Sequence, residues 1–128
     1  MSARRIFGVP VVRLPRLGET RAVLVEPWLL DDLPGVAAVE IPAGFATDGA
    51  SIPRALWRLC GHPLAAPRVY AAIVHDWLYS GGAPGMTRAQ ADAIYRDLLV
   101  CYGVPAAVAV VEWAALRLFG ARHWRGGE

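Results

Sequence analysis

Lysine is absent from this chain: all 13 of its basic residues are arginine. Charge is scarce in general, at 19% of 128 residues, against about 25% in an ordinary soluble domain. The formal net charge is only +2. That balance speaks against nucleic acid as a partner. Arg4, Arg5, Arg13, Arg16 and Arg21 form no basic stripe with stacking aromatics between them. The exclusive use of arginine reads as a bias of the coding sequence rather than an arginine-specific site. Cysteine is equally rare. Cys60 and Cys101 allow at most one bridge, which excludes a disulfide framework, and are read as buried free thiols of a protein made in a reducing cytoplasm. Long apolar runs are missing too. Residues 104–116, the most apolar stretch, carry Glu112 and fall short of the ~18 residues of a transmembrane segment. Pro10, Arg13 and Pro15 interrupt what would be the apolar heart of a signal peptide.

What the chain does have is apolar mass: hydrophobic residues make up 55%. This excludes intrinsic disorder, which needs low hydrophobicity and high net charge. A single domain over residues 1–128 follows from the length, burying roughly two-thirds of the surface the unfolded chain exposes. Apolar content this high suggests a surface to be covered by a partner or a lipid.

Residues 1–45 read as strand-rich. Residues 9–12 and 21–25, separated by a turn near Leu17-Gly18-Glu19, predict a hairpin, and residues 36–41 a further strand. Residues 46–128 read as helical. Ser51 followed by Pro53 starts a short helix to about Cys60, and a second spans about 67–79 before Ser80-Gly81-Gly82. Thr87 and Gln90 form the capping box of a third, which stops before Gly103. A fourth starts at Pro105 and stops at Gly120. The fold class is therefore α+β: a small antiparallel sheet or hairpin, then a helical half containing an antiparallel helix pair.

Few polar residues interrupt the apolar middle, and they cluster. Asp48 lies in a loop, His75 and Asp76 inside the second helix, and Asp92 and Asp97 on the third. A His-Asp dipeptide in an apolar helix is costly to bury unless each group has a partner. In an antiparallel hairpin His75 sits ~6 Å below the turn and Asp92 ~7.5 Å beyond Thr87, whereas Asp97 is ~15 Å along. Height selects Asp92. A carboxylate on one ring nitrogen fixes the tautomer and leaves the other nitrogen to take a proton from water. Asp76, pointing about 100° away from His75, is placed to hold a cation, and Asp48 with loop carbonyls would complete a calcium site. Tyr79, one turn beyond His75, is placed to hydrogen-bond Asp92.

Other polar groups have simpler accounts. Glu112 is expected to pair with an arginine. Ser51 lacks a nucleophile-elbow motif, and no ligand spacing supports a zinc site on His62 and His75. The loop around Asp48 can instead cap the following helix. Arg117, Arg122, His123, Trp124 and Arg125 read as a solvated helix end or a lipid- or partner-facing cluster.

The stretch Gly44-Phe45-Ala46-Thr47-Asp48-Gly49-Ala50-Ser51-Ile52-Pro53, followed by His75-Asp76-Trp77-Leu78-Tyr79, resembles domain-of-unknown-function family 1353. That resemblance implies a phage or prophage context and no established activity. More distantly, the same residues are similar to prokaryotic phospholipases A2, which share an Asp-Gly-Cys-Ser loop, His-Asp-x-x-Tyr on one helix and an Asp on the next. That likeness implies His75 as general base, Asp92 orienting it, Tyr79 supporting Asp92, and Asp76 and Asp48 as calcium ligands. Ala50 and Ala72 stand where that family has a cysteine pair.

Two functions are therefore expected to compete. One is a calcium-assisted His-Asp hydrolase of phospholipid or another acyl ester. The other is a non-catalytic phage virion or tail component reusing the fold, made in the cytoplasm and packaged in a particle.

Overall fold

A computed structural model of the chain describes residues 10–30, 38–49 and 68–126. The expected helix over 51–60, together with Ser51, Cys60 and His62, lies outside the described residues.

In the short strands burial alternates from one residue to the next. In β3 (Trp28–Leu30) and β4 (Val39–Ile41) the outer residues are buried while Leu29 and Glu40 face outward, as the two-residue repeat of a strand requires. These two strands pair antiparallel, with Leu29 opposite Glu40. A second sheet has the order β1 (Val12–Arg13), β2 (Ala22–Leu24), β5 (Ala46–Thr47), also antiparallel. Its β1–β2 hairpin is the expected one, with the first strand at Val12–Arg13 where the apolar run covers residues 9–12. An ion pair between Arg13 and Glu19 at 2.9 Å closes its turn. β3 and β5 were not anticipated. With three and two residues, they are too short for alternation to stand out in sequence.

Among the described residues three helices follow: α1 (Arg68–Tyr79), α2 (Arg88–Cys101) and α3 (Ala106–Phe119), then a 3-10 turn over Ala121–His123. α1 is buried on nearly every side, which explains why it has no polar face. The capping box forms as expected: Gln90 N donates to Thr87 Oγ1 at 3.1 Å, and Thr87 N donates to Gln90 Oε1 at 2.8 Å. α2 packs against both α1 and α3. The C-terminal end of α1 meets the N-terminal part of α2, so this pair is antiparallel. Leu24, Leu30 and Ile41 from the sheets share one core with Ile73, Leu78, Tyr95, Leu98 and Leu116 from the helices. Each such aliphatic side chain contributes roughly 1.5–3 kcal/mol by leaving water.

Polar ties also cross this core. Arg68 of α1 donates from Nε to both oxygens of fully buried Glu112 on α3, at 2.9 and 2.8 Å. Tyr95 of α2 donates to the same carboxylate at 2.8 Å, so the expected arginine partner of Glu112 is Arg68. Thr47 of β5 donates to Asp76 of α1, fastening sheet to helix. Among the described residues no helix is long and apolar enough to cross a membrane.

Candidate active site

His75 and Asp92 meet where the facing turns of α1 and α2 come level. His75 Nε2 lies 2.9 Å from Asp92 Oδ1, and both side chains are buried. A carboxylate can only accept, so Nε2 carries the proton and Nδ1 is left as an acceptor. Nδ1 is itself buried and has no hydrogen-bond partner among the described residues. The imidazole ring lies between Tyr79 and Tyr95, with ring centroids 4.1 and 5.2 Å away.

Tyr79 OH donates to the same Asp92 Oδ1 at 2.6 Å. The other oxygen, Oδ2, accepts from Arg117 Nη1 at 2.8 Å, and Arg88 Nη1 stands 3.6 Å from it. Burial alone would push the Asp92 carboxyl up. The hydrogen bonds from His75, Tyr79 and Arg117 outweigh it and hold the group below its ordinary value. Burial pushes the imidazole of His75 down and exceeds the upward pull of the Asp92 hydrogen bond and charge; Arg88 adds to the lowering. The result is an ionised Asp92 beside a neutral His75. Tyr79 is pushed above its ordinary range, first by burial and then by Asp92, so its hydroxyl remains a donor.

A cavity of about 240 Å³ opens beside the dyad, lined in part by Asp48, His75, Asp76, Tyr79, His123 and Arg125. Asp76 is pushed up to about 7, chiefly by burial and further by the charge of Asp48, against the Thr47 hydrogen bond and Arg21. Gly49 N donates to Thr47 Oγ1 at 3.0 Å, which fixes the loop carrying Asp48. The far wall comes from the C-terminal segment. Arg125 N donates to Tyr79 O at 2.7 Å, and the Trp124 ring meets the Tyr79 ring edge-on at 5.2 Å.

Sequence-derived candidates thus fall into two groups. His75, Asp92 and Tyr79 are in direct contact, while Asp48 and Asp76 line the cavity beside them. Asp97 is exposed and pairs with its neighbour Arg96 at 3.5 Å. Among the described residues, no group of three or more His, Cys, Asp or Glu is arranged to hold a metal ion. Cys101 is a half-buried free thiol. Sequence reasoning missed three groups: Thr47, Arg88 and Arg117. Arg88 carries a signal, since it precedes Asp92 by one helical turn. Arg117 carries none, because its reach to Asp92 depends on how α3 lies against α2. The C-terminal cluster is also more than a solvated end, since His123 and Arg125 face the cavity.

The family model described as "Protein of unknown function (DUF1353)" matches residues 22–116. No curated protein and no solved structure matches.

Proposed function

This chain belongs to the DUF1353 family of proteins of unknown function, and we propose that it is a His-Asp hydrolase of acyl esters, phospholipids among them. One observation carries this reading: the buried, unpartnered Nδ1 of a neutral histidine whose other nitrogen is held by an ionised carboxylate. Such a nitrogen is a general base awaiting a proton.

In the proposed reaction His75 Nδ1 takes a proton from a water in the cavity, and the oxygen of that water attacks the ester carbonyl. Asp92 stabilises the imidazolium that forms. The tetrahedral intermediate then breaks its bond to the alcohol oxygen, and His75 returns the proton to that leaving group. Tyr79 keeps Asp92 oriented throughout. Two carboxylates on one cavity, with Asp48 raising Asp76, is the situation a divalent cation relieves. Asp48 and Asp76 are accordingly the residues that would hold calcium, which would polarise the ester carbonyl when bound. Calorimetric titration is expected to show a calcium site that Asp76→Asn removes and Asp48→Asn weakens. No binding at millimolar calcium would remove the metal from the mechanism.

The decisive variant is His75→Gln, whose amide reaches Asp92 but cannot act as a base. Turnover of a short-chain phosphatidylcholine or a simple acyl ester is expected to fall about 10²–10⁴-fold, with the fold retained. A second reading is a non-catalytic phage particle component. It draws support from exposed apolar side chains such as Leu17, Leu118 and Phe119, which suit assembly contacts. That reading expects no turnover by the wild type and a clear loss of thermal stability on replacing His75.

A further inference from the structure

The two arginines around Asp92 are arranged reciprocally. Arg117, from the last turn of α3, donates to Asp92 Oδ2 on α2 at 2.8 Å. Arg88, from the first turn of α2, donates back to the carbonyls of Leu116 and Arg117 at the end of α3, at 3.0 and 3.2 Å. Arg88 also donates to Tyr79 OH at 3.2 Å. Each helix thus grips the other's end, and the carboxylate of the dyad lies inside the grip.

We infer that Arg117 and Arg88 are positioning residues, which keep Asp92 ionised and aimed so that the proton of His75 stays on Nε2. The physical case is one of charge. With Asp92 fully buried, a carboxylate stripped of both arginines and facing only a neutral imidazole and a phenol would be a buried, unpaired charge, which proteins avoid by protonating the group. A protonated Asp92 would donate to His75 Nε2 instead of accepting from it. The imidazole proton would then move to Nδ1, the one nitrogen facing no acceptor, and that nitrogen could no longer take a proton from water. Arg117 prevents this by supplying the compensating charge at Oδ2. Its bond also holds the Asp92 carboxylate plane, which is otherwise soft to rotation, with Oδ1 on His75. Arg88 adds its own charge 3.6 Å from the same oxygen and holds the backbone from which Arg117 projects.

With His75 read as the base, as proposed above, loss of Arg117 should cost kcat rather than KM. Arg117 is partly exposed, so Arg117→Met is expected to fold. The primary test is the ¹⁵N spectrum of the histidine rings at neutral pH, with His75 assigned through His75→Gln. Wild type is expected to show Nε2 protonated and Nδ1 bare. Arg117→Met should show a substantial Nδ1-protonated population and, on an acyl ester, a kcat lower by about 10–100-fold at similar KM, the usual size of an outer-shell effect. Arg117→Lys, which restores the charge, should recover the wild-type tautomer. If Arg117→Met lowers only the melting temperature and leaves tautomer and kcat unchanged, the arginine is scaffolding and the inference is wrong. If the wild type hydrolyses no ester, the hydrolase reading fails, and the tautomer comparison alone decides the role of the arginines.

Discussion

Burial acts with opposite sign on two neighbouring side chains, His75 and Asp76. It lowers the imidazole, so the unfolded chain takes up a proton below about 6.5 that the folded protein refuses. Stability from His75 is therefore lost as pH falls from 6.5 through the lowered folded value. Asp76 is raised from 3.8 to about 7, so across that window the folded state holds the extra proton. Its contribution is complete below 3.8 and is lost as pH rises through about 7. In calcium-free buffer, Asp76→Asn should melt above wild type at pH 8, and the gap should close towards pH 4. Thermal scans across pH check this, and a gap independent of pH would contradict it. At this scale much of the site was legible. The 1.5 Å rise per residue placed Asp92, not Asp97, beside His75, and the structure agrees. Arg117 was not legible, because no spacing within one helix encodes how two helices lie against each other.

Among the described elements, the helices could be read from their ends, whereas of the strands only the β1–β2 hairpin and β4 could be read. Thr87 with Gln90, Pro105 and Gly120 mark boundaries through local hydrogen-bonding chemistry, which sequence carries directly. β5 exists because Ala46 and Thr47 meet Val23 and Ala22 across the sheet, a long-range fact. Thr87→Ala should cost about 1 kcal/mol by removing the cap, seen as a melting temperature lower by a few degrees. Gly120 ends α3 for want of space rather than for its backbone angle. A Cβ there would lie 2.6 Å from Leu116 O and 2.8 Å from Tyr79 OH. Gly103, by contrast, has open space around it but a φ of +101°. Gly120→Ala is expected to cost about 1–3 kcal/mol and to lower activity by displacing Tyr79. Gly103→Ala should destabilise through its backbone alone and leave activity intact, so stability and turnover measured on both variants separate the two causes.

For the molecule as described, the Arg68–Glu112 pair ties α1 to α3 and is bridged by Tyr95 of α2. Glu112 is fully buried, so Glu112→Gln, which removes one charge of a buried ion pair, should lower stability clearly. Replacing both partners by apolar residues should recover part of that loss, and a double-mutant cycle in denaturant measures the coupling. The larger consequence comes from where the cavity walls originate. Of its lining, His75, Asp76 and Tyr79 belong to α1, whereas Asp48 follows β5, a two-residue strand held by β2 and by Thr47 on Asp76. Local opening takes the least buried contacts first. Amides of β5 should accordingly exchange with deuterium well before those of α1 and α2. Lifting that strand would carry Asp48 away from the cavity while the His75–Asp92 contact, made between two helices, stayed closed.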